Sequence, residues 1–548
     1  MGQDLEVVRS LADKLETDAA LLAEALVNVS DHVDERDRTV PEGDPGGESA
    51  AGRYPAGMSD SRPELCCDAR EQGGGAERRM TRIVVLGGGV CGLASGLMLA
   101  RDGLEVTVLE RDADPVPESV DEAWERWSRE GVTQFRMAHF LQPAGSAVLE
   151  QELPDVFDGL VAAGAMRLDM LGLMPPDLAD GDPRSDDERF VTYTARRPVF
   201  EQVLGAAAEN EPGVEVRRGV TVMEPIVEAG SGTPHVTGVR LDSGETLQSD
   251  LVVDAMGRGS QLPRWCSDAN IGPLHEESED SGFIYYGRFF RSADGSTPPP
   301  YGPLLAPIGT FSILTLPSDN GTWAVTTYIS SGDQPLKRMR DPDAWRAVIE
   351  ACPAHAHWLE GEPISDLMAM GGVIDRYRRP LHDGRPVLTG IALLGDACAC
   401  TNPSLGRGIT LGLIHAQALR EVVGSHLEDP LEFAQAWDEA TEARLTPWYR
   451  ETVAEDRSRL SEIEALRQGL EPPQPSDPSQ ALRGALLAAM LHDPDLFEAF
   501  LESRSCLTPL SETFAQDGVP ERILELAGQH ERLQIPGPDR EELLRLLG

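Results

Sequence analysis

No apolar run in this 548-residue chain approaches the roughly 18 residues that a membrane-crossing helix requires, so no transmembrane segment is expected. Basic residues are outnumbered, 48 against 92 acidic, giving a formal net charge of −44. Such a chain is repelled by polyanions, which argues against nucleic acid and anionic membrane as partners. Lysine is almost missing: Lys14 and Lys337 are the only two, and arginine supplies nearly all the positive charge. The eight cysteines (Cys66, Cys67, Cys91, Cys266, Cys352, Cys398, Cys400 and Cys506) show no paired C-x-x-C metal spacing and no small secreted framework. No metal site is expected. H-E-x-x-H, G-x-S-x-G and Walker A segments are absent, which removes support for metalloprotease, α/β-hydrolase and P-loop readings. The N-terminus has neither a basic n-region nor an apolar core, so a reduced, cytoplasmic, soluble protein is expected.

Three motifs stand out, far apart in the chain. The first is a continuous apolar run, Ile83–Leu86, followed directly by Gly87-Gly88-Gly89-Val90-Cys91-Gly92. The run suits a parallel strand buried on both faces. In the G-x-G-x-x-G spacing, Gly87 permits the tight turn, Gly89 lets backbone approach a pyrophosphate, and Gly92 lets the next helix sit close to the sheet. That helix, from about Cys91 to Asp102, aims its first amides and positive dipole end at phosphates. The following strand ends at Glu110, 18 residues after Gly92, where a carboxylate accepts hydrogen bonds from adenosine ribose hydroxyls and disfavours a 2′-phosphate. Val90, Cys91 and Arg111 are counted with the cofactor contacts. The second motif is Asp254-Ala255-Met256-Gly257-Arg258-Gly259-Ser260. The third is Gly395-Asp396-Ala397, followed by Pro403-Ser404-Leu405-Gly406-Arg407-Gly408.

The organisation around these motifs divides the chain into five parts. Residues 1–79 read as an N-terminal extension. It holds a short amphipathic helix carried by Val8, Leu11, Leu15, Leu22 and Leu26, then a Gly/Pro/Ser-rich linker from about Asp34. Met80 is a plausible natural start. Residues 80–275 alternate strands and helices as an α/β domain does. Residues 276–380 hold aromatic-rich strands such as 283–290 and 322–329, expected to form a mostly antiparallel sheet. Residues 381–425 return to the α/β domain. Residues 426–548 are expected to be helical, with a Pro-rich break at 471–478.

The three motifs together resemble those of the single-domain-FAD flavoprotein monooxygenases, the aromatic hydroxylases and squalene-epoxidase-like enzymes, over about Thr81 to Val423. The resemblance implies an α/β fold: a three-layer, Rossmann-like FAD-binding domain with an inserted, mostly antiparallel substrate sheet and a helical C-terminal region. It implies FAD as cofactor, held by Gly87, Gly89, Val90, Cys91, Gly92, Glu110 and Arg111 at one end. Gly395, Asp396, Pro403, Gly406 and Gly408 hold it at the other, Asp396 on the ribityl hydroxyls. Arg197, with Phe200 and Leu204 at +3 and +7, resembles the R-x-x-L-x-x-x-L helix whose arginine lies near the FAD phosphates; Arg196 is its close rival. Gln134, Arg136 and His139 resemble a Q-x-R-x-x-H element found near the flavin in epoxidase-like members.

The activity implied is insertion of one atom of dioxygen, by hydroxylation or epoxidation, into a hydrophobic small molecule of secondary metabolism. No catalytic residue is assigned. Arg136 and His139 are weak candidates, against a structural salt bridge for the first and a core hydrogen bond for the second. Met256 stands where hydroxylases carry the Asp of an Asp-Gly pair. That departure leaves two electron sources open, NAD(P)H docking transiently or a separate flavin reductase. Three other functions remain: a geranylgeranyl-reductase-like reductase of isoprenoid double bonds, a flavin halogenase, and a non-enzymatic flavin-binding scaffold. The halogenase reading lacks its active-site lysine and its W-x-W-x-I-P segment, since Trp124 and Trp127 have the wrong spacing.

Overall fold

Strand β1 (Arg82–Leu86) is the central strand of a five-stranded sheet. Its Ile83–Leu86 run is buried on both faces because both neighbours in the sheet and both covering layers are apolar. The chain turns into helix α1 (Val90–Arg101) and returns as β2 (Glu105–Glu110), parallel to β1 with Ile83 opposite Val106. Helix α2 (Arg197–Asn210) leads to β3 (Val214–Arg218), parallel to β2, and β4 (Leu251–Asp254) then lies on the other side of β1. Coordinates come from a computed structural model that describes residues 80–174, 178, 187–228, 232–475 and 477–548. The expected N-terminal helix and the linker before Met80 lie outside the described residues.

An antiparallel sheet comes next in the chain. It is built on β5 (Phe283–Arg291), β6 (Phe311–Pro317), β7 (Thr322–Ser330) and β8 (Met368–Gly371). β7 pairs β5 in full register from Phe283–Ser330 to Arg291–Thr322, and β8 pairs the other edge of β5. Strand β9 (Ile374–Arg379) carries the chain back, and β10 (Ile391–Leu393) joins β4 in the parallel sheet. The parallel order is therefore β10-β4-β1-β2-β3, with its last strand supplied about 300 residues after its first.

Helix α3 (Gly408–His426) packs beside α1 on one face of this sheet, through Leu93, Leu97, Leu413 and Leu419. A three-stranded meander over residues 222–248 covers the other face through Val236, Val239 and Leu241. Each such side chain taken out of water contributes about 1.5–3 kcal/mol to holding the helix, sheet and meander layers together. The chain ends in helices, among them α4 (Pro430–Arg444), α5 (Thr446–Arg467) and α6 (Pro494–Arg504). Among the described residues, no helix is long and apolar enough to cross a membrane.

Candidate flavin site

At the end of β1, Gly87 adopts φ +105°, and a Cβ there would lie 2.6 Å from the Ala255 carbonyl oxygen. A Cβ on Gly92 would lie 1.9 Å from the Gly87 carbonyl oxygen, so Gly92 is required by backbone contact and does not line the cavity described below. Gly89 differs. The nearest atom to its Cβ position is Arg197 Nη2 at 3.8 Å, so a side chain would project into open space. Gly89 is also the N-cap of α1 and offers no side-chain cap. The first-turn amides of Val90 and Cys91 are thus left for a ligand, as an anion at a helix N-terminus requires.

That space is a cavity of about 420 Å³, within the usual range for small-molecule sites. Gly87, Gly89, Val90 and Cys91 line it from the first motif, Glu110 and Arg111 from the end of β2, and Met256–Gly259 from the second motif. Asp396, Pro403, Gly406 and Gly408 line it from the third. Gly395 does not. It turns the chain at φ +57°, and its Cβ position lies 3.3 Å from Cys91 Sγ. The same sulfur would be 2.1 Å from a Cβ on Gly412, so Cys91 fills a niche between the first and third motifs. Burial, reinforced by the Asp396 charge, pushes the Cys91 thiol up to about 12, so it stays protonated and unreactive.

One ion-pair network runs along the wall. Glu110 accepts from the Gly88 amide (2.9 Å), the Asp112 amide (2.9 Å) and Arg129 Nη2 (2.8 Å). A carboxylate offers about four acceptor positions, so room remains for a ribose hydroxyl. The Arg129 side chain is fully buried and also binds the Gly88 carbonyl oxygen (3.2 Å), Asp112 (3.1 Å) and Glu201 (2.5 Å). Glu201 in turn binds Arg197 Nε at 2.7 Å. Arg197 Nη1 donates to His139 Nε2 at 3.3 Å, and His139 Nδ1–H donates to the Met137 carbonyl oxygen at 2.9 Å. Burial and the Arg197 cation push the imidazole down to about 3. His139 is therefore neutral, with both ring nitrogens engaged.

The structure separates residues that the sequence left paired. Arg197 lines the cavity. Arg196, 1% exposed, turns away to a bidentate bond with Asp319 (2.6 and 3.0 Å) beneath the Trp124 ring. Gln134 and His139 line the cavity; Arg136 does not, because its guanidinium binds the Trp124 and Trp127 carbonyl oxygens at 2.9 and 3.0 Å. Trp124 and Trp127 are packed edge-on against Phe289 and Phe135. Cys400 lines the cavity and Cys398 does not; burial raises both thiols.

Asp396 is half-buried, and desolvation raises its carboxyl while the Arg197 and Arg258 cations oppose that shift. No hydrogen bond among the described residues engages it. Gly408 has nothing within 4 Å of its Cβ position, and α3 starts there without a side-chain cap. An unengaged acid, two uncapped helix starts facing one cavity and two glycines with open space in front of them fit a dinucleotide flavin. Three supporting residues are not specified by any motif: Arg129, His415, and Arg407, which fills the open position between Gly406 and Gly408. Arg129 closes a charged stretch, Asp121–Arg129, that also carries Trp124 and Trp127.

The sheet-side wall is apolar. Met137, Leu314, Leu316, Met370 and Val373 come from the segment after Gln134 and from the antiparallel sheet.

This fold and this cavity are those of a FAD-binding flavoprotein. Residues 80–430 match the model of the FAD binding domain family, and the chain belongs to that family. It is 28% identical to Protein Rv3254 of Mycobacterium tuberculosis, over 78% of this chain and 90% of that one. It is 25% identical to kynurenine 3-monooxygenase of Xanthomonas campestris, over 70% and 81%. The fold is similar to that of Pseudomonas aeruginosa PqsL, with a TM-score of 0.53 at 18% identity, over 71% of this chain and 98% of PqsL.

Proposed function

We propose that the protein is a monooxygenase that hydroxylates or epoxidises an uncharged, hydrophobic small molecule. When bound and reduced, FAD supplies the activation of dioxygen, from which one oxygen atom passes to the substrate. Glu110 holds the adenosine ribose, the Val90 and Cys91 amides with Arg197 hold the pyrophosphate, and Asp396 holds the ribityl hydroxyls. The Pro403–Gly408 loop presents amides to the ring. His139 serves as a positioning residue for Arg197, since its neutral ring has no free nitrogen with which to move a proton. Arg136 ties the Gln134–His139 segment to the carbonyls behind it.

The single observation that carries the substrate class is the composition of the sheet-side wall. Met137, Leu314, Leu316, Met370 and Val373 offer no ionisable group, and burial keeps the neighbouring Cys400 thiol protonated. A charged substrate would be desolvated there without a partner. In this reading residues 276–380 form the substrate roof over a FAD-binding domain made of 80–275 and 381–425, and the helices of 426–548 buttress it. The apolar wall also excludes water that would divert the activated oxygen.

Electrons come from NAD(P)H or through a separate reductase. The test is an anaerobic one: purified protein with bound flavin is mixed with NADPH or NADH, bleaching is followed, and oxygen is then admitted. Bleaching followed by reoxidation is expected of a self-sufficient monooxygenase. Protein purified without any flavin would overturn the reading.

A further inference from the structure

The Pro403–Gly408 loop meets the cavity with Pro403, Gly406 and Gly408, but Arg407 between them points the other way. Its guanidinium is buried among the C-terminal helices. Nη2 binds Glu451 on α5 at 2.7 Å and the Ser503 carbonyl oxygen on α6 at 2.9 Å, and the group lies 5.1 Å from the Trp448 ring centre. Ser503 Oγ donates to Glu451 at 2.8 Å, and the Leu510 amide closes the other carboxylate oxygen at 3.0 Å. Burial alone would raise the Glu451 carboxyl, yet Arg407 holds it below the usual range. Four positions before the end of the loop a second tie runs in parallel: Ser404 Oγ donates to Asp456 on α5 at 2.9 Å.

A loop with glycines at 406 and 408, the first at φ +64°, has much backbone freedom to lose. Its amides serve a ligand only if their direction is held. We propose that Arg407, clamped by Glu451 and Ser503, is the positioning residue that fixes this loop for the flavin, so that α5 and α6 set cofactor affinity and environment without touching the cofactor. The inference rests on the flavin assignment made above. Loss of the clamp frees the Gly406–Gly408 amides to rotate, and the flavin meets a broader set of loop conformations.

The experiment compares wild type with Glu451→Gln, Ser503→Ala and Arg407→Lys, and with Asp319→Asn as a control that weakens a buried ion pair away from the loop. Apoprotein is titrated with FAD at 10 °C, and the visible circular dichroism and midpoint potential of the bound flavin are recorded. The clamp variants are expected to bind FAD at least tenfold more weakly with an altered flavin dichroism. The control is expected to melt earlier with both flavin readouts unchanged. Should Glu451→Gln fail to fold, Ser503→Ala decides, because it removes only the hydroxyl that accepts from Arg407 Nη2 (3.2 Å) and donates to Glu451. Folded clamp variants with wild-type affinity, dichroism and potential overturn the proposal. A wild type that takes up no FAD overturns the flavin assignment and the clamp with it.

Discussion

His415 Nδ1 accepts a hydrogen bond from the Gly395 amide at 3.1 Å. The other nitrogen, Nε2–H, donates to Thr441 Oγ1 at 3.0 Å, and the ring stacks on Trp437 at 4.3 Å. A histidine on α3 thereby sets the turn that delivers Asp396, and α4 sets the histidine. The bond exists only while Nδ1 is unprotonated, and burial pushes the ring down to about 3.

That depression gives an acid dependence of definite sign. The unfolded chain binds a proton at His415 below about pH 6.5, while the folded chain does so only near pH 3. Stability is therefore lost as pH falls through that window. The upper bound is ~3 kcal/mol between pH 6.5 and 4, at about 1.36 kcal/mol per pH unit. His139 adds in the same direction. Denaturant midpoints of wild type and His415→Gln measured from pH 7 to 4 are expected to converge as pH falls. Parallel curves would refute the assignment.

Asp456 acts in the opposite sense. Burial pushes its carboxyl up to about 8, so the folded protein holds a proton that the unfolded chain releases near pH 4. Stability from this group is present at low pH and is lost as pH rises towards 8. Asp456→Asn mimics the protonated form, so its melting temperature should exceed wild type more at pH 8.5 than at pH 6.

Gly89 and Gly92 should separate binding from folding. Gly89→Ala meets only Arg197 Nη2 at 3.8 Å, so a normally folded protein with weakened FAD binding is expected. Gly92→Ala forces a Cβ to 1.9 Å from the Gly87 carbonyl oxygen and is expected to destabilise by about 3 kcal/mol, at the upper end for overpacking. Thermal melting and flavin content of the two variants check this.

The two adjacent arginines should have different fates. Asp319→Ala strands the buried Arg196 charge and is expected to cost about 3–5 kcal/mol of stability. Arg197→Met leaves Glu201 paired with Arg129 at 2.5 Å, so its loss should appear in FAD affinity. The reverse pattern in chemical denaturation and FAD titration would contradict the geometry.

Asp396→Ala is expected to lose FAD by about 100-fold or more in affinity, consistent with removal of a charged acceptor of two hydroxyls. Full flavin occupancy of that variant would sink the third-motif assignment.

The parallel sheet, α1, α3 and the antiparallel strands were legible in the sequence because each depends on a local pattern: Ile83–Leu86 as an apolar run, Gly87 to Gly92 as a turn into a helix, and 283–290 as aromatic strand. The cavity positions of Gly89, Glu110 and Asp396 follow from the same local geometry. The expected helix start at Cys91 falls one residue later than the observed start at Val90.

What the sequence by itself determined is the dinucleotide fingerprint, the acid at the end of β2 and the Gly-Asp and Pro-x-x-Gly-x-Gly turns, because backbone conformation at a glycine or a helix start depends on its nearest neighbours. Only the tertiary structure decided that Arg197 and not Arg196 meets the cavity. The partner that removes Arg196, Asp319, lies 123 residues away. Arg129, His415 and Arg407 gained their places in the same way, through Glu201, Gly395 and Glu451. A buried charge or imidazole takes its role from the group that compensates it, and folding alone brings that group within hydrogen-bonding distance.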